Sequence, residues 1–384
     1  MENLSRRRLR ALWWIAGLVL LFAVYVSGLS RNPPGFYVDE SGLAYNAFLV
    51  AHTGAGEFGP RFPLFFQFFT DGFTAYASPT QIYLLSVVFV FLPPSILLAR
   101  IFSAFWVFAA CLVLGLLSRR ISGRSTVGVI VAAIALMMPW FFEVSRLVLE
   151  LHFIPLALVL FLLAVYNAQG KEEWTWQDIV KLVATLDLMT YCYTSGRLLG
   201  PLLALGLLFF ATSWKRLLIV IKTGLFYGAT LFPILVFNWR YSGVLSRRLS
   251  EVSYIRPGVP WSELASHFVS RYLEDQGLTG LLLTGDYHAR HHVQGSGGAL
   301  FFATFILALI GLTIVIACRR RDPWWRFVLY GLAVAIVPGA ISVEPFHQSR
   351  LLAYPVFLML LTIPSLEWLL ARAERRSEIG RAHV

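Results

Sequence analysis

Residues 11–29 read ALWWIAGLVLLFAVYVSGL, without one charge, and residues 351–370, LLAYPVFLMLLTIPSLEWLL, hold a single acid, Glu367. Roughly 20 such residues, wound as a helix, cross ~30 Å of hydrocarbon. The rest of the chain has the same character. Of 384 residues, 58% are hydrophobic and 14% are charged, against ~45–50% and ~25% in soluble domains. An all-α polytopic membrane protein follows, which excludes a cytosolic enzyme, a secreted disulfide scaffold and a porin-type barrel. Cys111, Cys192 and Cys318 fall within or at the ends of apolar segments without metal-ligand spacing and read as packing residues.

The net charge of +11 is a topology signal. Basic residues collect at the ends of apolar blocks, as in Arg6, Arg7, Arg8 and Arg10, then Arg119, Arg120 and Arg124, and later Arg319, Arg320 and Arg321. Such clusters mark cytoplasmic loops, and no nucleic-acid-reading pattern accompanies them. With the N-terminus inside, ten spans are expected, at about 11–29, 95–117, 127–142, 147–166, 179–193, 198–211, 217–237, 298–317, 327–341 and 351–370. Residues 81–92 are apolar but short and stop at Pro93-Pro94, so they read as an interfacial or re-entrant helix. The chain is then one transmembrane domain over 1–370, with a first outer loop at about 30–94 and a long one at about 238–297. Residues 378–384 back-translate in one frame into a common sequencing adapter. The tail 371–384 is therefore expected to be truncated and to end in read-through, and carries no functional argument.

Sidedness locates the chemistry. Seven of eight histidines fall on the outer half, His52, His152, His267, His288, His291, His292 and His347, with Asp39, Glu40, Glu57, Asp71, Glu143, Glu150, Asp286 and Glu344. Ionisable groups at a membrane edge are costly and mark function by default. The site is expected to face outside the cytoplasm, at the inner (plasma) membrane of the cell. Asp39-Glu40, just beyond the first span, sets carboxylates at the membrane surface, where a general base could deprotonate an acceptor hydroxyl. A solvated loop with Asp39 capping the following helix is the plain alternative. Asp187, inside a helix, reads as a packing or hydrogen-bonding residue.

The order of motifs carries a resemblance. Asp39-Glu40 is followed by Glu57-Phe58-Gly59 and Pro63-Leu64-Phe65-Phe66, then by Pro79-Thr80-Gln81-Ile82-Tyr83-Leu84. Further on come Ala99-Arg100-Ile101-Phe102-Ser103-Ala104, Pro139-Trp140 with Ser145-Arg146, Tyr191-Cys192-Tyr193 with Arg197 and Pro201-Leu202, Gly285-Asp286 with Arg290-His291-His292, and Glu344-Pro345-Phe346-His347-Gln348-Ser349-Arg350. This series resembles bacterial family 39 glycosyltransferases, relatives of protein O-mannosyltransferases and of the lipid A aminoarabinose transferase, over about residues 10–370. Two positions depart. Phe141 stands where the family has His after Pro-Trp, and Ala77-Ser78-Pro79 replaces a Lys-Pro-Pro.

The resemblance implies a GT-C fold and transfer of a sugar from a polyprenyl-phosphate donor to a lipid, glycan or protein acceptor, with inversion. It implies Asp39 and Glu40 as the catalytic pair. Substrate contacts would come from Glu57, Arg61, Arg100, Glu143, Arg146, Tyr193, Arg197, His347 and Arg350, since a phosphodiester suits forked guanidinium donors. Arg197 and Arg350 are the strongest phosphate candidates, although an arginine at a helix end is also a common snorkelling cap. No cofactor is required by this reading, but a divalent metal stays open, with Asp286, His291 and His292 as weak ligand candidates beside His288. The alternative from another class is a lipid or solute transporter or flippase. That would call for an internal hydropathy repeat and helices broken at the midplane, and the sequence has neither.

Overall fold

The computed structural model describes residues 2–70 and 73–382; Asp71 lies outside the described residues. The structure is mainly helical, with one short β-hairpin. Helix α1 (Glu2–Tyr25) precedes α2 (Val38–Thr53), a hairpin of β1 (Phe66–Thr70) and β2 (Phe73–Ala77), and α3 (Pro79–Phe91). Then follow α4 (Ile96–Ser122), α5 (Ser125–Met137), α6 (Pro139–Ser145), α7 (Phe153–Gln169), α8 (Trp176–Cys192) and α9 (Thr194–Gly206). The last part holds α10 (Trp214–Thr230), α11 (Phe232–Arg240), α12 (Val244–Val252), α13 (Trp261–Glu274), α14 (Phe302–Ile314), α15 (Pro323–Val334), α16 (Val337–Ala340) and α17 (Tyr354–Ala382).

All ten expected spans fall on helices, but not all are full crossings. Among the described residues, five helices are long and apolar enough to cross a membrane: Ile96–Ser122, Glu150–Gln169, Trp214–Arg240, Phe302–Arg319 and Tyr354–Arg375. The expected continuous span 127–142 is instead a pair, α5 and α6, bent by 57°. The cause is Pro139. Its ring disfavours the helical basin for the preceding residue, and Met138 takes φ −60°, ψ 125°. The segment expected at 11–29 lies on α1, a helix of 24 residues that ends at Tyr25, and those expected at 179–193, 198–211 and 327–341 are helical but short. Helix α8 ends where Tyr193 becomes extended (φ −160°), α9 tightens into a 3-10 turn at Leu207–Phe210, and α15 stops at Val334 ahead of Pro338.

Local chemistry sets the ends. Ser95 caps α4 by accepting the Leu98 N–H at 3.1 Å, and the helix closes on Gly123 in the left-handed region (φ 68°) with Arg119 and Arg120 in its last turn. Helix α7 is apolar all round and is buried through its first half, residues 153–159, so it is a core helix rather than a lipid-facing one. Small residues bring α4 against α5. A Cβ on Gly115 would lie 2.6 Å from the Gly128 carbonyl oxygen, so a side chain there would push the helices apart. In contrast, α14 and the α10–α11 span keep most side chains outward, as lipid-facing helices do. Cys111 and Cys192 are buried packing residues as expected, but Cys318 is exposed at the end of its span. Asp187 accepts the Thr230 hydroxyl at 2.6 Å, an inter-helix hydrogen bond between α8 and α10.

A second, smaller core lies under the first long loop. Leu43, Ala47 and Val50 of α2, Phe66 of β1 and Ile82, Leu85 and Phe89 of α3 pack with Ala99 and Val148. The short helix 79–91, expected to be interfacial, thus has one face locked to α2. This packing fixes α2, and with it the Asp39-Glu40 pair.

Candidate functional site

Successive residues on a helix point about 100° apart, so the two carboxylates opening α2 cannot share a role. Glu40 turns inward and is 1% exposed. Its Oε1 accepts Arg100 Nε at 3.1 Å and the Val148 N–H at 3.0 Å. Its Oε2 accepts Arg100 Nη2 and the Tyr37 N–H, both at 3.0 Å. Arg100 gives its other N–H groups to the carbonyls of Leu29 (3.3 Å), Pro33 (2.8 Å) and Gly35 (2.6 Å), so all five of its donors are engaged. Glu40 and Arg100, expected in catalysis and in phosphate binding, form a buried clamp that folds the loop entry. Arg146, another expected phosphate ligand, is also engaged. It donates to the carbonyls of Asn32 (3.4 Å), Tyr25 (3.2 Å) and Ser27 (2.5 Å), closing the C-terminus of α1.

Asp39 turns outward. Its carboxylate is about half exposed and meets Arg290 Nη1 at 3.4 Å. The same nitrogen donates to the Tyr37 hydroxyl at 2.8 Å. Arg290 belongs to the second long loop, so two loops far apart in sequence meet over Asp39.

On another side of the loop face, Ser78 links two charged groups. Its N–H donates to Glu150 Oε1 at 2.8 Å, and its hydroxyl accepts Arg197 Nη2 at 3.1 Å. The Arg197 guanidinium also lies 4.7 Å from the centroid of the Phe65 ring, and its Nε is buried without a hydrogen-bond partner among the described residues. Ser78 and Glu150 were not singled out as site residues from sequence. Ser78 lies in the stretch Ala77-Ser78-Pro79, where the sequence departs from the expected Lys-Pro-Pro.

The third group is built on residues 286–297 and 342–350. Asp286 is fully buried and accepts the N–H groups of His288 and Gln348, each at 2.9 Å, and contacts His291 Nδ1 at 3.2 Å. Burial would raise the Asp286 carboxyl, but its hydrogen bond with His291 helps hold it below the ordinary value. Burial, with the Arg350 charge beside it, pushes the His347 imidazole down to about 2, so that ring is neutral. Arg350 Nη2 pairs with Glu344 Oε2 at 2.7 Å, and its Nη1 is buried without a hydrogen-bond partner among the described residues. His292, expected beside Asp286 and His291, departs from them. Its Nδ1 pairs with Glu143 at 2.6 Å and its Nε2 lies 2.8 Å from the Gly297 carbonyl oxygen, so both ring nitrogens are engaged elsewhere. Glu143 also accepts the Val293 N–H at 3.2 Å, which ties α6 to the second loop.

The remaining expected residues are more peripheral. Glu57 and Arg61 are exposed on the first loop, Arg61 bridging Ala55 through its backbone. Tyr193 is the extended residue before α9, and its carbonyl accepts the Gly196 N–H at 3.0 Å. The loop face thus presents Asp39 as a half-exposed carboxylate, and Arg197 and Arg350 each with a buried nitrogen that has no hydrogen-bond partner among the described residues.

The fold and this loop face define a polytopic helical membrane protein of GT-C architecture. The fold is shared with solved structures, two of which are the following. ArnT from Cupriavidus metallidurans in the apo state matches with a TM-score of 0.58 at 14% identity, over 97% of this chain and 63% of that one. The archaeal oligosaccharyltransferase AglB from Archaeoglobus fulgidus, in complex with an inhibitory peptide and a dolichol-phosphate, matches with a TM-score of 0.56 at 14% identity, over 96% and 52%. The chain therefore spans between half and two thirds of the length of these structures. No family model matches the chain, and no curated protein does.

Proposed function

We propose that this protein is a membrane glycosyltransferase that moves a sugar from a polyprenyl-phosphate donor to an acceptor hydroxyl on the extracytoplasmic face of the plasma membrane. The acceptor is a lipid, a glycan or a protein. The observation that carries the reading is the separation of roles on the loop face. Asp39 is outward and reachable, Glu40 is locked away, and Arg197 and Arg350 each keep a buried nitrogen without a hydrogen-bond partner among the described residues, whereas every guanidinium nitrogen of Arg100 and Arg146 donates to a protein oxygen. In the proposed reaction, Asp39 takes the proton from the acceptor hydroxyl. The oxygen then attacks the anomeric carbon from the side opposite the phosphate, inverting it. As the bond from the anomeric carbon to the phosphate oxygen breaks, charge grows on the polyprenyl phosphate, and Arg197 and Arg350 stabilise it. The GT-C neighbours, one of them holding a dolichol-phosphate, are consistent with this.

The arginines supply the direct test. Arg197→Ala or Arg350→Ala is expected to weaken donor binding by about 1.5–3 kcal/mol, the range for a hydrogen bond to a charged group. Lysine should recover only part of this, because a point charge does not reproduce the fork. A snorkelling cap would accept lysine at no cost. Donor titrations with Arg197→Lys and Arg350→Lys proteins decide the matter, and wild-type affinity in both would remove the phosphate clamp.

Orientation is tested separately. Cysteines at Glu57 and Ser296 are expected to react with a membrane-impermeant thiol reagent added from outside, and one at Glu173 is not. Glu57 is preferable to its neighbour Gly56, where a Cβ would lie 2.8 Å from both Asn46 Oδ1 and the Phe66 ring. Labelling at Glu173 from outside would invert the topology.

A further inference from the structure

His288, Glu344 and His347 come from two segments, yet their donor atoms converge. His288 Nε2 lies 3.3 Å from Glu344 Oε1, and His347 Nε2 lies 3.4 Å from Glu344 Oε2. One donor atom from each falls within 4.8 Å of the other two. Tetrahedral zinc with bonds of ~2.0–2.2 Å places neighbouring ligand atoms roughly 3.3–3.6 Å apart. Each imidazole nitrogen lies near that spacing from one of the two Glu344 oxygens.

A competing triad, Asp286, His291 and His347, shares His347. Two observations set it in a supporting place. Asp286 is fully buried and already accepts two backbone N–H groups besides contacting His291, so an ion there would have little open coordination. Asp286 also faces the Nδ1 side of His347, at 3.8 Å, where the Ser349 hydroxyl sits at 2.7 Å. That arrangement fixes the ring and turns Nε2 toward Glu344, as outer carboxylates do for metal-bound histidines.

The His288–Glu344 side is more open, with these side chains 24% and 29% exposed, so a fourth ligand can reach it. Arg350 Nη2 lies 2.7 Å from Glu344 Oε2 and holds the carboxylate in place. Beside it, Arg350 Nη1, buried and without a hydrogen-bond partner among the described residues, is an N–H suited to an anion in the cation's fourth position.

We propose that His288, Glu344 and His347 hold a divalent cation of the zinc class, with Asp286 orienting His347 and the fourth position facing Arg350. The proposal does not depend on the transferase reading, because its test reads metal rather than transfer. The full chain, purified in detergent, is stripped with a chelator and titrated with Zn²⁺ against a competing chromogenic chelator. One zinc per chain is expected. His288→Gln and Glu344→Gln should each weaken it at least ~100-fold, and Asp286→Asn by about 10- to 100-fold. His291→Gln should leave it within a few-fold. Melting of the metal-free proteins controls for misfolding. Should His288→Gln fail to fold, the ligand-field spectrum of the Co²⁺-loaded wild type against Glu344→Gln reads the same site, and identical spectra would count against it. Absence of stoichiometric zinc, or zinc that survives His288→Gln but is lost in His291→Gln, overturns the proposal.

Discussion

Replacing Asp39 with Asn is expected to lower sugar transfer by at least ~10²-fold while leaving insertion and melting temperature unchanged. General-base catalysis contributes about 10²–10⁴-fold, and asparagine keeps the shape but cannot take the proton. Stability should not follow, because Asp39 is half exposed and its contact with Arg290, at 3.4 Å, is a surface pair, worth at most about 1 kcal/mol. Turnover with a saturating polyprenyl-phosphate sugar, measured beside melting in the same detergent, separates the two effects. Near-normal transfer by a well-inserted Asp39→Asn protein would remove Asp39 from the chemistry.

The contrast between Asp39 and Glu40 also shows how far sequence reasoning reaches. The apolar helical segments and their polar connections were legible in the chain, because hydropathy reports them directly. So was the short helix at residues 79–91, cut off by Pro93-Pro94. Which of two adjacent carboxylates faces the loop surface was not. That depends on the rotation of α2, which is set by its packing on α3 and β1 through Leu43, Phe66 and Ile82, contacts between segments that no local pattern encodes.

The arginines divide in the same way. Arg100, Arg146, Arg197 and Arg350 look alike as helix-end cations. Only the positions of the carbonyls of Leu29, Pro33, Gly35, Tyr25 and Ser27 reveal that the first two are engaged. The histidines follow suit. His291 and His292 are chain neighbours, yet one ring turns to Asp286 and the other to Glu143. The break at Pro139 is different, since Pro139 itself announces it. The continuous span at 127–142 was expected because hydropathy sums over a proline without noticing it.

Breaking the Glu40–Arg100 clamp should cost stability before it costs chemistry. Both side chains are 1% exposed, and removing one partner of such a buried pair leaves the other charged without compensation, a loss of about 3–5 kcal/mol. Arg100→Met would also orphan the Leu29, Pro33 and Gly35 carbonyls, and Glu40→Leu the N–H groups of Tyr37 and Val148. Each single variant is therefore expected to melt well below the wild type, with activity falling in proportion to the folded fraction. The double variant should melt above the level that the two single losses predict when added, because neither charge is then left alone. Glu40→Gln is the discriminating protein. Its amide keeps one acceptor oxygen for Val148 or Arg100 but turns an N–H toward the guanidinium, so it too should be destabilised. If it melted like the wild type and still lost transfer by ~10²-fold, Glu40 would belong to the reaction, and the division of labour between the two carboxylates of α2 would have to be reversed.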